Sequence, residues 1–165
     1  MSLPVIILAL VTLQRLGELW LSNRNTRRLL AQGAFEVGAS HYPLIVAVHL
    51  LWLATLWWCA PAERVDLLWL AVFLLIEAAR LWTMTSLGSR WTTRIIILPR
   101  APLVRRGPYR FVDHPNYLVV VAEIAVLPLV FGLWPLTLIF TLLNAAVLAV
   151  RIREEDRALV NDQRG

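Results

Sequence analysis

Residues 67–87 read LLWLAVFLLIEAARLWTMTSL. Twenty-one residues in an α-helix rise about 30 Å, the thickness of the hydrocarbon core of a bilayer. The run interrupts its apolar side chains with only two charges, Glu77 and Arg80, and lies between Asp66 and Gly88, a helix-opening and a helix-closing residue. It reads as a membrane-spanning helix. Towards the amino terminus, residues 3–21 and 42–60 repeat the pattern, and towards the carboxyl terminus residues 117–131 and 136–150 do so in shorter form. Breakers fall at Pro61, at Gly88 and in the turn 132–135. The expected fold is therefore all-α, a polytopic membrane protein of five helical segments. Its first three segments are long enough to span, and the last two, of fifteen residues each, are read as a short helical hairpin.

Composition agrees. Of 165 residues, 59% are hydrophobic and 16% charged, and mean hydropathy is +0.65. A soluble domain near this length buries only about 70% of the surface its unfolded chain exposes, too little to hide so much apolar area. The amino-terminal segment lacks a basic n-region and a small-residue cleavage site before Gln14, so it is expected to be a retained helix and not a signal peptide. The single cysteine, Cys59, excludes an internal disulfide and a cysteine-cluster metal site.

Every basic residue is arginine, and sixteen of them against eleven acids give a net charge of +5. Thirteen lie in residues 22–40, in the long connection 88–116 and after Val150, whereas residues 61–66 hold only Arg64. By the positive-inside rule the amino terminus is expected outside and the carboxyl terminus in the cytoplasm. That asymmetry concerns orientation and anionic lipid, and no nucleic-acid partner is expected. Neither GxGxxG nor GxxxxGK[ST] occurs, and His41, His49 and His114 lack partners at ligand spacing, so neither a nucleotide fold nor a metal centre is expected.

Ionisable side chains inside a membrane are expensive and mark either internal pairing or function. Six occur within the segments: Arg15, Glu18, His49, Glu77, Arg80 and Glu123. Arg15 with Glu18, and Glu77 with Arg80, stand three residues apart, which predicts an ion pair on each helix. Apart from the midway His49 they crowd towards the cytoplasmic half, which suggests a polar cavity open on that side. His49 is either a hydrogen-bonded core histidine or a substrate-facing group.

The connection 88–116 carries six arginines and four prolines, too much sequence for a simple turn. The densest motifs lie in it and around the last two segments: RWTTR (90–94), APLVRRGPYR (101–110), DHPNY (113–117) and RIREE (151–155). Residues 114–117 and 151–155 flank the hairpin and are expected to meet at its base. This pattern resembles the isoprenylcysteine carboxyl methyltransferase family of integral membrane methyltransferases. The motifs in 88–159 carry the resemblance. QRLGEL (14–19), SNRN (22–25), HYP (41–43) and residues 90–95 resemble a bacterial branch that O-methylates alkylpyrones and alkylresorcinols.

The resemblance implies one membrane methyltransferase domain over residues 1–165, with residues 88–165 as the cofactor-binding half, in a bacterial inner membrane with the active site facing the cytoplasm. It implies S-adenosylmethionine as cofactor, contacted by Arg94, Leu103, Val104, Tyr109, His114, Pro115, Asn116, Tyr117 and Glu155. Arg151 resembles the family's substrate-polarising arginine; His49, from its place inside an apolar run and not from the resemblance, is a second candidate acceptor contact. Asp113 departs from the family pattern, in which arginine often precedes His-Pro. The acceptor is then a lipophilic acidic hydroxyl or carboxyl group, as in an alkylpyrone, an alkylresorcinol or a prenylcysteine. Two other readings stand beside this one: a phospholipid headgroup N-methyltransferase, which the arginine-rich rim disfavours, and a small membrane transporter or assembly subunit, which needs polar groups through the whole depth.

Overall fold

The computed structural model describes residues 2–164, with side chains through residue 158. Its elements run α1 (Leu3–Ala31), β1 (Phe35–Val37), α2 (Tyr42–Cys59), α3 (Leu67–Leu87), β2 (Ile95–Ile97), α4 (Pro115–Val130) and α5 (Trp134–Arg164). Prolines sit in the first turns of α1, α2 and α4, where no intrahelical N–H partner is needed. Asp66 caps α3 by accepting from the backbone N–H groups of Leu68 at 2.9 Å and Trp69 at 3.2 Å. Gly88, at φ +58°, closes it.

Four helices, in α1, α2, α3 and α5, are long and apolar enough to cross a membrane. The fifth, α4, has sixteen residues. α4 is the hub, packed against both α3 and α5, while α2 lies against α5 and α1 against α2. The expected short hairpin is corrected in its second arm. α5 extends over 31 residues without a break at Val150, so RIREE is the continuation of a helix that begins in the apolar layer. α1 likewise runs ten residues past Leu21. The two strands, absent from the expected all-α pattern, form an antiparallel pair with Phe35 opposite Ile97 and Val37 opposite Ile95.

The interior is divided along its axis. One end is apolar: Leu8, Trp52, Leu56, Ile124, Leu127, Val130 and Phe131 are buried together. Towards the end that carries the strands and the long connection, buried positions turn polar, with Glu18, Ser22 and Asn25 on α1, Arg80, Thr83 and Ser86 on α3, and Glu123 on α4. At the boundary lies an ion network joining three helices. Arg80, 4% exposed, donates from Nε and Nη2 to both oxygens of Glu18 at 2.5 Å each, and from Nη1 to Glu123 Oε2 at 2.6 Å. Arg15 reaches Glu18 Oε2 and Glu123 Oε2, each at 2.9 Å. The pair Arg15 with Glu18 forms as its spacing predicts. Glu77 and Arg80 do not pair. Glu77 instead accepts from Gln14 Nε2 at 2.5 Å and stands 3.9 Å from Arg15, because two carboxylates from other helices converge on Arg80 first.

Candidate functional site

The connection between α3 and α4 is fastened to the bundle by polar contacts along its length. Asn25 of α1 donates to the Trp91 carbonyl at 2.8 Å. Trp91 is itself buried, and its indole N–H donates to Asn116 Oδ1 at 3.2 Å. Arg90 Nη1 donates to the Pro102 carbonyl, and Arg106 Nε to the Ser86 carbonyl, both at 2.6 Å. The turn Gly107–Arg110 rests on the end of α3 so closely that a Cβ at Gly107 would stand 2.0 Å from Ser86 Oγ, and its φ is +56°. No side chain other than hydrogen fits there.

So held, the connection encloses a cavity of about 810 Å³ together with β2, the start of α4 and the charged stretch of α5. Ligand pockets span about 300 to 1,000 Å³, so there is room for a nucleoside-sized cofactor and an acceptor head. The wall includes Arg94, Leu103, Val104, Tyr109, His114, Asn116, Tyr117, Arg151 and Glu155, the residues that the sequence motifs single out. Two expected contacts lie elsewhere. Pro115 is the first residue of α4 and does not line the cavity. His49 faces within the bundle, its Nδ1 2.8 Å from the Ile45 carbonyl, and the charges that reach it are those of Arg15, Arg80 and Arg151.

The two flanks of the α4–α5 pair meet as their positions predict. Tyr117 OH donates to Glu155 Oε2 and accepts from Arg151 Nε at 3.0 Å. The His114 ring stacks on Tyr117 at 5.4 Å between centroids, and its Nε2 lies 3.0 Å from Asp156 Oδ1. Asp156 had no place among the expected site residues; its signal in the sequence is a carboxylate in the same charged run as Glu155. Arg151 Nη2 donates to the Thr93 carbonyl at 2.6 Å. Its Nη1 has no partner among the described residues, and the side chain also lines a small hollow between α2 and α5, with Ile45, Ile95 and Val147.

Arg94 lines the cavity but spends its Nη1 on both oxygens of Glu36, at 2.9 and 3.0 Å, and stacks on Tyr42 at 4.3 Å. It thereby ties β2 to β1 and α2. The Tyr109 hydroxyl is buried with no partner among the described residues. Burial first, and the negative charge of Glu155 second, push its phenol well above the ordinary tyrosine range, so it stays a neutral donor. Among the described residues no group of three or more His, Cys, Asp or Glu side chains could hold a metal ion.

The residue chemistry fits S-adenosylmethionine. A carboxylate at Glu155 suits an ammonium or ribose hydroxyls, the apolar walls at Leu103 and Val104 suit an adenine, and the unpartnered Tyr109 hydroxyl offers a hydrogen bond.

Comparison with known proteins places these features. The chain is 36% identical to the uncharacterized protein YpbQ of Bacillus subtilis (strain 168), over 93% of this chain and 95% of that one. It is 26% identical to an uncharacterized protein of Haemophilus influenzae (strain ATCC 51907 / DSM 11121 / KW20 / Rd), over 88% of each. No solved structure matches. The model of the isoprenylcysteine carboxyl methyltransferase family matches residues 69–161, which span α3, the long connection, α4 and almost all of α5. With four helices able to cross a membrane and a cavity whose wall, Leu29 apart, comes from the matched residues, the chain belongs to the isoprenylcysteine carboxyl methyltransferase family.

Proposed function

We propose that this protein transfers a methyl group from S-adenosylmethionine to an acidic oxygen of a lipophilic acceptor, an alkylpyrone enol, an alkylresorcinol phenol or a prenylcysteine carboxylate. The observation that carries this reading is the position of Arg151 in the cavity wall, anchored by Tyr117 and Thr93 with Nη1 left over, one helical turn before Glu155, which accepts from the same Tyr117 hydroxyl. When bound, the cofactor supplies an electrophilic methyl group on a sulfonium. Glu155, Tyr109, Asn116 and the apolar stretch at Leu103 and Val104 bind it. Arg151 holds the acceptor's anionic oxygen, since a guanidinium keeps its charge at any working pH and presents a planar fork to the anion. The protein contributes orientation and exclusion of water, without covalent chemistry of its own.

An oxygen acceptor is favoured over a phospholipid amine because five arginines, Arg90, Arg94, Arg100, Arg105 and Arg151, line the cavity against three carboxylates, Asp113, Glu155 and Asp156. The surplus of positive charge suits an acceptor whose reacting oxygen is anionic. The transporter reading lacks support at the apolar end, where Leu8, Leu56, Leu127 and Val130 close the core. The same arginine asymmetry supports an orientation with the cavity in the cytoplasm of a bacterial inner membrane. Titration calorimetry of the detergent-solubilised protein in chelator tests the cofactor assignment. Saturable binding of S-adenosylmethionine is expected, and its absence in a folded preparation at millimolar cofactor removes the reading.

A further inference from the structure

Arginine has several rotatable bonds and loses much rotamer freedom when fixed, so an arginine that orients a substrate needs acceptors whose own positions are set. Arg151 has two. Tyr117 belongs to the first turn of α4, stacked on His114 and donating to Glu155. The other acceptor is the Thr93 carbonyl, which lies in the irregular stretch before β2, where regular backbone pairing does not fix it.

Side chains from the first part of the chain fix it instead. Ser22 of α1, 1% exposed, accepts from the Thr93 backbone N–H at 2.8 Å, and its hydroxyl pairs with Thr93 Oγ1 at 2.8 Å. Tyr42, at the start of α2, brings its hydroxyl to 3.0 Å from the same Oγ1. The Tyr42 ring is held in turn by the Arg94 guanidinium stacked on it. A two-point grip on Oγ1 and a third point on the N–H leave the Thr93 peptide little freedom.

We propose that Thr93, clasped by Ser22 and Tyr42, is a positioning residue that aims the Arg151 guanidinium at the acceptor. The clasp touches neither cofactor nor acceptor in this account and acts only through Arg151, so the inference rests on the role given to Arg151 above. It gives Ser22 and Tyr42, far from the motifs of the second half, a part in the chemistry through Thr93.

Thr93→Val keeps the shape and removes the hydroxyl, Thr93→Ser keeps the hydroxyl, and Tyr42→Phe removes one grip without touching Thr93. The first readout is label from S-adenosylmethionine entering the organic-soluble fraction of membranes that contain each variant. The second, independent of any acceptor, is solvent exchange of the Arg151 Nε–H in nitrogen-15-labelled protein, its signal identified by its loss in Arg151→Lys.

Thr93→Val is expected to lower turnover about 10-fold, the order of effect of a sub-ångström misplacement of a positioning group, with cofactor affinity unchanged and Nε–H exchange faster. Thr93→Ser restores both, and Tyr42→Phe shifts both in the same direction by less. In an Arg151→Lys background Thr93→Val has no further effect. Wild-type turnover and exchange in Thr93→Val, or an equal loss in the Arg151→Lys background, overturns the proposal. If wild-type membranes take up no label, the methyltransferase reading fails, and the exchange measurement still decides the clasp. If Arg151→Lys leaves turnover intact while Thr93→Val alters exchange, the error lies in the role of Arg151.

Discussion

Replacing Arg80 by glutamine removes the centre of the buried ion network. Two guanidinium groups, Arg15 and Arg80, face three carboxylates, Glu18, Glu77 and Glu123, a formal charge of −1. Without Arg80 the formal charge becomes −2. Glu18 then loses two contacts at 2.5 Å, and Glu123, 1% exposed, loses one at 2.6 Å and keeps only Arg15. Leaving a buried charge without its partner costs about 3 to 5 kcal/mol, and glutamine recovers at most one neutral hydrogen bond of about 1 kcal/mol. A net loss of about 2 to 4 kcal/mol is expected.

Glu77→Gln is the control from the same network. It removes the surplus carboxylate, whose closest contact is a neutral amide and whose arginine lies at 3.9 Å, so its stability is expected within about 1 kcal/mol of wild type. Unfolding by sodium dodecyl sulfate in mixed micelles, followed by the fluorescence of the eight tryptophans, compares the two variants directly. Equal losses, or a loss below about 1 kcal/mol for Arg80→Gln, would show that the network is hydrated and that its geometry does not govern stability.

Three further outcomes follow from the site. Gly107→Ala places a methyl group 2.0 Å from Ser86 Oγ at a φ of +56°, so the connection must lift from α3. Cofactor binding by calorimetry should weaken at least 10-fold while helix content by circular dichroism holds; unchanged binding would mean that this turn does not shape the cavity. The Tyr109 phenol is raised by burial and by Glu155. The folded protein therefore keeps this proton where the unfolded chain releases it, and stability should fall as pH climbs above about 10, the ordinary tyrosine value. Tyr109→Phe should remove part of that alkaline slope, and an unaltered slope would contradict the assignment. Glu155→Gln should raise the dissociation constant of S-adenosylmethionine by about 10-fold or more, the loss of one charged hydrogen bond of about 1.5 to 3 kcal/mol; unchanged affinity would reduce this stretch of α5 to a solvated face.

The sequence states helix positions well where solvent and backbone change together, as at Asp66 and Gly88 around α3. It misleads where only the solvent changes. At Val150 hydropathy falls, yet RIREEDRA is mostly Arg, Glu and Ala with no glycine or proline, and Arg157 pairs with Glu154 at 3.2 Å, so α5 continues. Residues 22–31 extend α1 although Ser22, Asn23, Asn25 and Thr26 are weak helix formers, since no glycine or proline intervenes before Gly33 and Ser22 and Asn25 are held by Thr93 and Trp91. Three-residue strands joined across the gap from Phe35 to Ile97 leave no local periodicity to read. For Arg80, spacing reveals the face and not the partner, which other helices supply. The cavity residues were legible through the family resemblance that their motifs carry, whereas Thr93 and Ser22, though inside RWTTR and SNRN, act through a carbonyl and a hydroxyl whose partners only the fold supplies.

The central claim is methyl transfer to an acidic oxygen on a lipophilic acceptor. Purified protein is incubated with methyl-labelled S-adenosylmethionine and a membrane lipid extract, and the labelled product is identified by mass spectrometry. One lipophilic product carrying the label as an O-methyl ether or ester is expected, formed equally well in chelator and about 10-fold more slowly in Arg151→Lys. Label on a headgroup nitrogen, or no labelled product from a folded preparation that retains its cavity, would contradict it.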